Sequence, residues 1–142
     1  MPLNRSGRSE DFAIRLPVRI AAVEDGRLAL TSFLERFDID DIAINRIEVI
    51  LEELVSNIVR HGEGADVLQI EAEYTGQTIR LIIEDNGPGF NPFEVPEPAP
   101  FTTVENATLG RQGIPLIRRL TKSVRYHRIG SVNRITAVIA AH

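Results

Sequence analysis

The sequence has no cysteine and no tryptophan, one methionine, three histidines, and a single lysine, Lys122, among sixteen basic residues. Without cysteine there is no disulfide, thiol nucleophile or Cys-ligated zinc, and His61, His127 and His142 are too scattered for a His-rich metal site. No run of about 18 apolar residues exists to cross a bilayer. Polar Met1 to Glu10 carries Arg5 and Arg8 with no hydrophobic stretch behind them to act as a signal peptide. A cytoplasmic protein without membrane contact is expected. The net charge of −4 argues against direct nucleic-acid binding.

What is present is a chain of 142 residues, 43% hydrophobic and 25% charged, enough for one ordinary core and too short for two. The other fifteen basic residues are arginines. Arginine suits bidentate contacts with carboxylates or phosphates, although a GC-rich genome would produce the same bias.

Residues 1–11 read as a flexible arm and 12–142 as a single domain. Phe12, Ile14, Leu16, Val18 and Ile20 alternate with smaller or polar residues, the period of a half-buried strand. Pro17 removes a ladder donor, so this strand belongs at a sheet edge and leaves that edge free for a second subunit. Ala21 to Phe37 and Ile42 to His61 have helical spacing, and Gly62-Glu63-Gly64 ends the second helix. Leu68 to Tyr74, a Thr75-Gly76-Gln77 turn and Ile79 to Glu84 form a hairpin. A proline-rich stretch of about 86–109 has no period, which inside a small domain marks a functional loop or lid. A short helix opening at Gly113-Ile114-Pro115 and strands Ser123 to Arg128 and Asn133 to Ala140 complete the chain. This order predicts an α/β (α+β) two-layer sandwich, a mixed sheet with three helices on one face.

Chemistry concentrates in three segments. On the second helix, counting about 100° per residue from Ile47, Glu53 and Asn57 fall near 240° and 280°, at the edge of the apolar stripe. Four residues apart, a carboxylate and a carboxamide oxygen can approach one small target such as a hydrated magnesium ion. An ordinary surface pair is the plainer alternative. Glu52, near about 140°, faces solvent. In the second segment a buried strand ends at Asp85 and enters a turn containing Gly87 and Gly89. Asp85 can accept a hydrogen bond from an exocyclic amine such as that of adenine, while glycine permits positive φ and close ligand approach. In the third, Gly110-Arg111-Gln112-Gly113 precedes a helix N-terminus, where unpaired N–H groups favour phosphate; a flexible hinge before the helix is the plainer reading of this segment alone. No lysine follows any glycine run, which excludes a P-loop.

Together and in this order, the segments resemble the ATP-binding fold of gyrase, heat-shock chaperone, histidine kinase and mismatch-repair ATPases, the GHKL superfamily. Glu53-x-x-x-Asn57 is similar to its N box, Asp85-x-Gly87-x-Gly89-Phe90 to its first glycine box and Gly110-x-x-Gly113 to its second, with the ATP lid between. The stretches LEELVSNIVRHG and EDNGPGFNP, with IPLIRRL and SVRY behind them, most resemble the anti-sigma-factor serine/threonine kinases. Arg111 stands where that family has an inner glycine, Lys122 where it has an acid, and Val132 where it has a glycine.

The resemblance implies an ATP- and Mg2+-dependent protein serine/threonine kinase of a bacterial partner-switching system that controls transcription. Its protein partners would be a STAS-type antagonist, which it phosphorylates, and a sigma factor, which it sequesters. Glu53 would be the general base and Asn57 the magnesium ligand. Asp85 would select adenine, Gly87, Gly89, Gly110 and Gly113 would surround the nucleotide, and Arg111 would add a phosphate clamp. A homodimer built near the first strand and helix is implied as well. The alternatives are a nucleotide-gated protein-binding module with little transfer, or a detached histidine-kinase-like ATPase domain.

Overall fold

The computed structural model describes residues 10–61, 63–89, 91–94 and 113–142. Its elements are β1 (Glu10–Pro17), α1 (Ala21–Leu34), α2 (Asp41–His61), β2 (Val67–Tyr74), β3 (Thr78–Asp85), a 3-10 turn at Pro92–Glu94, α3 (Gly113–Leu120), β4 (Ser123–Ile129) and β5 (Val132–Ala140). The sheet order is β1-β2-β3-β5-β4. Strict burial alternation along β2 and β5 shows that one face of the sheet carries the core, so the expected two-layer sandwich is present.

The sheet is not mixed: all four strand pairings are antiparallel. Two helices, α1 and α2, separate β1 from β2, and an even number of crossings returns the chain in the opposite direction. The single helix α3 makes β3 and β4 run the same way, but β5 inserts between them and pairs antiparallel with both.

β1 lies at an edge, as Pro17 requires. It begins two residues earlier than Phe12, because Glu10 is buried and ion-paired to Arg36 at 3.1 Å. Phe12 packs on Phe33 with ring centroids 5.3 Å apart, which anchors the same end of the strand to α1. It also stops at Pro17, short of the expected Ile20, which already has helical dihedrals and is 79% exposed. Residues 1–9 of the expected arm lie outside the described residues.

Ile47, Ile50, Leu51 and Leu54 on α2 meet Ile70 and Leu81 of the sheet in one core cluster, each at most 1% exposed. Burial of each such side chain contributes roughly 1.5–3 kcal/mol. Gly76 and Gly130, at φ 97° and 60°, close the β2–β3 and β4–β5 hairpins in a conformation that costs other residues about 1 kcal/mol or more.

Candidate functional site

A cleft opens where the C-terminal half of α2 faces the end of β3 and the start of β5. Leu54, Asn57, Ile58 and His61 line it from α2, Asp85 and Pro88 from β3 and the turn after it, and Pro92, Asn133 and Ile135 complete it. It is a narrow cleft, partly open to solvent. The walls are mainly apolar, with a few convergent polar groups, a composition suited to a planar base.

Two of those groups have unused hydrogen-bonding capacity. Asn57 is 7% exposed, and its Oδ1 accepts from Arg60 Nη2 at 3.1 Å while its Nδ2 has no partner among the described residues. A buried, unpaired amide N–H costs about 1–3 kcal/mol, and Asn57 lines the cleft, so an acceptor on a bound ligand would relieve that cost. Asp85 Oδ1 accepts from Gly87 N at 2.8 Å and from Asn133 Nδ2 at 3.1 Å. No hydrogen bond among the described residues engages its Oδ2, which stays available to a donor such as an exocyclic amine. These two groups fit a nucleotide. A magnesium ion would need the Asn57 carboxamide oxygen, a hard ligand, which here accepts from Arg60 and would have to exchange that bond for the metal; a ready-made cage of three or more His, Asp or Glu side chains is absent among the described residues.

Glu53 lies one turn before Asn57 on α2 and is half-buried, but it is outside the set of residues lining the cleft. Burial pushes its carboxyl above the ordinary carboxylate range; the Arg60 charge opposes this and Glu52 reinforces it. Glu52 is exposed, as expected. Gly87 and Gly89 are not among the glycines with positive φ, which are Gly64, Gly76 and Gly130. The positive φ that glycine permits is therefore not used at these two positions, and a β-carbon added at Gly89 would meet the Arg128 side chain at 3.8 Å, an ordinary contact. Gly113 begins α3. Gly110, Arg111, Phe90 and residues 95–109 of the expected lid lie outside the described residues.

Three residues with no assigned role in the sequence reading belong to this region. His61 is four residues after Asn57 and lines the same cleft, which the i, i+4 spacing could have disclosed. Asn133 is the single polar residue in the inward series Asn133, Ile135, Ala137, Ile139, and that interruption of an apolar face was its signal. Arg128 donates to Gly87 O at 2.8 Å, a contact spanning 41 positions that no local pattern announces.

The histidine kinase-like ATPase domain family matches residues 16–139. The serine-protein kinase RsbW of Listeria monocytogenes serotype 4a is 27% identical over 130 residues, covering 83% of this chain and 80% of that protein. RsbW of Listeria innocua is 25% identical over the same shares. Among solved structures, the RsbU and RsbW domains of Rv1364c from Mycobacterium tuberculosis superpose with a TM-score of 0.68 at 20% identity. That match takes in 93% of this chain and 32% of that one. The catalytic domain of histidine kinase ThkA gives a TM-score of 0.51 at 14% identity over 92% and 97% of the two chains. The structural matches establish the fold.

Proposed function

The chain belongs to the histidine kinase-like ATPase domain family, and from that premise we propose that it is an ATP-dependent protein serine/threonine kinase of a partner-switching system. Its phosphoryl acceptor is a STAS-type antagonist, and its second partner a sigma factor, which it sequesters in the cytoplasm. The observation that carries this reading is the convergence of an orphaned Asn57 amide and an unoccupied Asp85 oxygen on one cleft. The similarity to RsbW proteins named as serine-protein kinases supports the type of acceptor. No helix among the described residues is long and apolar enough to cross a membrane.

Asp85 receives the adenine amine, and Gly87 and Gly89 let the base lie close to the backbone. Asn57 holds magnesium, with Gly110, Arg111 and Gly113 around the phosphates. Magnesium held there would supply charge neutralisation at the phosphates. Glu53 takes the proton of the attacking hydroxyl as the new O–P bond forms and the bond to ADP breaks. Its raised affinity for protons makes it a stronger base than a solvated carboxylate.

Transfer of labelled phosphate from ATP to a candidate antagonist, with acid-stable product, tests the assignment. Glu53→Gln is expected to bind ATP and transfer about 10²–10⁴-fold more slowly, and Asn57→Ala to lose both magnesium-dependent binding and transfer. Equal transfer by wild type and Glu53→Gln removes the base. The position of Glu53 outside the cleft lining favours a second reading, a nucleotide-gated protein-binding module. ATP binding without phosphorylation of any antagonist selects that one.

A further inference from the structure

Asp85, Asn133 and Arg128 occupy one row across three strands: Asp85 pairs with Asn133 between β3 and β5, and Asn133 with Arg128 between β5 and β4. Asn133 is 5% exposed, and the described protein saturates its carboxamide. Nδ2 donates to Asp85 Oδ1 at 3.1 Å and to Pro88 O at 2.8 Å, with Gly87 O at 3.4 Å. Oδ1 accepts from Tyr126 Oη at 2.5 Å and from Arg128 Nη1 at 3.1 Å. The same Arg128 nitrogen donates to Gly87 O at 2.8 Å, and the side chain lies alongside Gly89. A carboxamide with nothing left to offer a ligand acts through its neighbours, and here the neighbours are Asp85 and the glycine turn.

We infer that Arg128 and Asn133 are positioning residues: they form a brace, carried by the β4–β5 hairpin, that fixes the Asp85 carboxylate and the Gly87–Gly89 turn in the orientation that receives the base. The inference rests on the nucleotide-binding part of the proposed function. Asp85 Oδ1 is held from two sides, by Gly87 N and Asn133 Nδ2, which directs Oδ2 away from the brace. Arg128 ties the turn's carbonyl to the hairpin, so the turn cannot swing without breaking charge-assisted hydrogen bonds. Such preorganisation raises affinity by sparing the ligand the cost of ordering the loop.

Arg128 is exposed as a residue, which makes it the position to vary. Titration calorimetry with ATP and GTP, thermal melts and amide hydrogen exchange are run on wild type, Arg128→Ala, Arg128→Lys and Tyr126→Phe. Arg128→Ala is expected to melt close to wild type, to bind ATP about tenfold more weakly, the loss of one or two charge-assisted bonds, and to discriminate less against GTP. Its Gly87 N–H, which donates to Asp85, should exchange faster without any nucleotide present. Arg128→Lys should recover part of both losses, since an ammonium still reaches one acceptor, and Tyr126→Phe should lose less than Arg128→Ala. Wild-type ATP binding that Arg128→Ala leaves unchanged in affinity and selectivity overturns the brace alone. A wild type that binds no adenine nucleotide overturns the functional reading, and the role given to the brace falls with it.

Discussion

Glu53 is held in an environment that suits proton transfer and works against folding. Its carboxyl is displaced upward chiefly by burial, so the native state binds that proton more readily than the unfolded chain. Stability is then lost as pH rises from the unfolded value through the raised native one, and the loss is complete above that window. Glu53→Gln removes the charge but keeps the shape. Its melting temperature is expected to exceed that of wild type at pH 7, with the gap closing as the pH falls below the ordinary carboxylate range. Paired thermal melts at the two pH values check this, and a Gln variant less stable than wild type at pH 7 would show that the charge is satisfied in the folded state. A residue whose replacement stabilises the fold while slowing transfer is retained for function.

At the scale of elements, α1 approaches the sheet where it has no side chain. A β-carbon at Gly26 would stand 2.6 Å from Ile70 Cδ1 and 3.6 Å from Leu16 Cδ1, and Ile70 is fully buried. Gly26→Ala therefore forces the Ile70 methyl aside, an overpacking cost of about 1–3 kcal/mol, against a helix-propensity gain of about 1 kcal/mol. A net loss of up to about 2 kcal/mol in urea unfolding is expected. In an Ile70→Val background the obstructing methyl is gone, and there Gly26→Ala should stabilise. A double-mutant cycle with no change of sign would place the obstruction elsewhere. Gly26 also shows how far sequence reading extends. The period-two strands and period-3.6 helices were legible because each is a local response to one buried face. Close approach of a helix to a sheet is a property of two elements, and the glycine alone does not announce it. The candidate site divides in the same way. Asp85 and Asn57 were legible from a strand-end acid and a helix stripe, whereas Asn133 and Arg128 reach the glycine turn across 46 and 41 positions. The antiparallel sheet is not legible locally, because the insertion of β5 between β3 and β4 depends on long-range pairing.

For the molecule as a whole, the two edges of the sheet stand at different distances from the cleft. β4, at one edge, carries Arg128 beside the glycine turn. β1, at the other, lies two strands away from β3 and its Asp85, and we propose that it is where two copies meet as a homodimer. The two equilibria then stabilise the native state separately, because a ligand and a partner that both prefer the folded chain each add their own binding free energy. At a concentration about 100 times its Kd, ATP with magnesium should contribute about 2.7 kcal/mol, which for a domain of this length raises the melting temperature by roughly 6–10 °C. GTP at the same concentration should do much less if Asp85 selects adenine. Raising the protein from low to high micromolar should add a second increment, nearly independent of nucleotide, since β1 and the cleft share no residue. A grid of thermal melts over protein and nucleotide concentration, read beside light scattering, separates the two. A melting temperature insensitive to protein concentration, with scattering of a monomer at high micromolar, eliminates the β1 dimer and leaves the cleft standing. Equal shifts with ATP and GTP eliminate the role of Asp85 and leave the dimer standing.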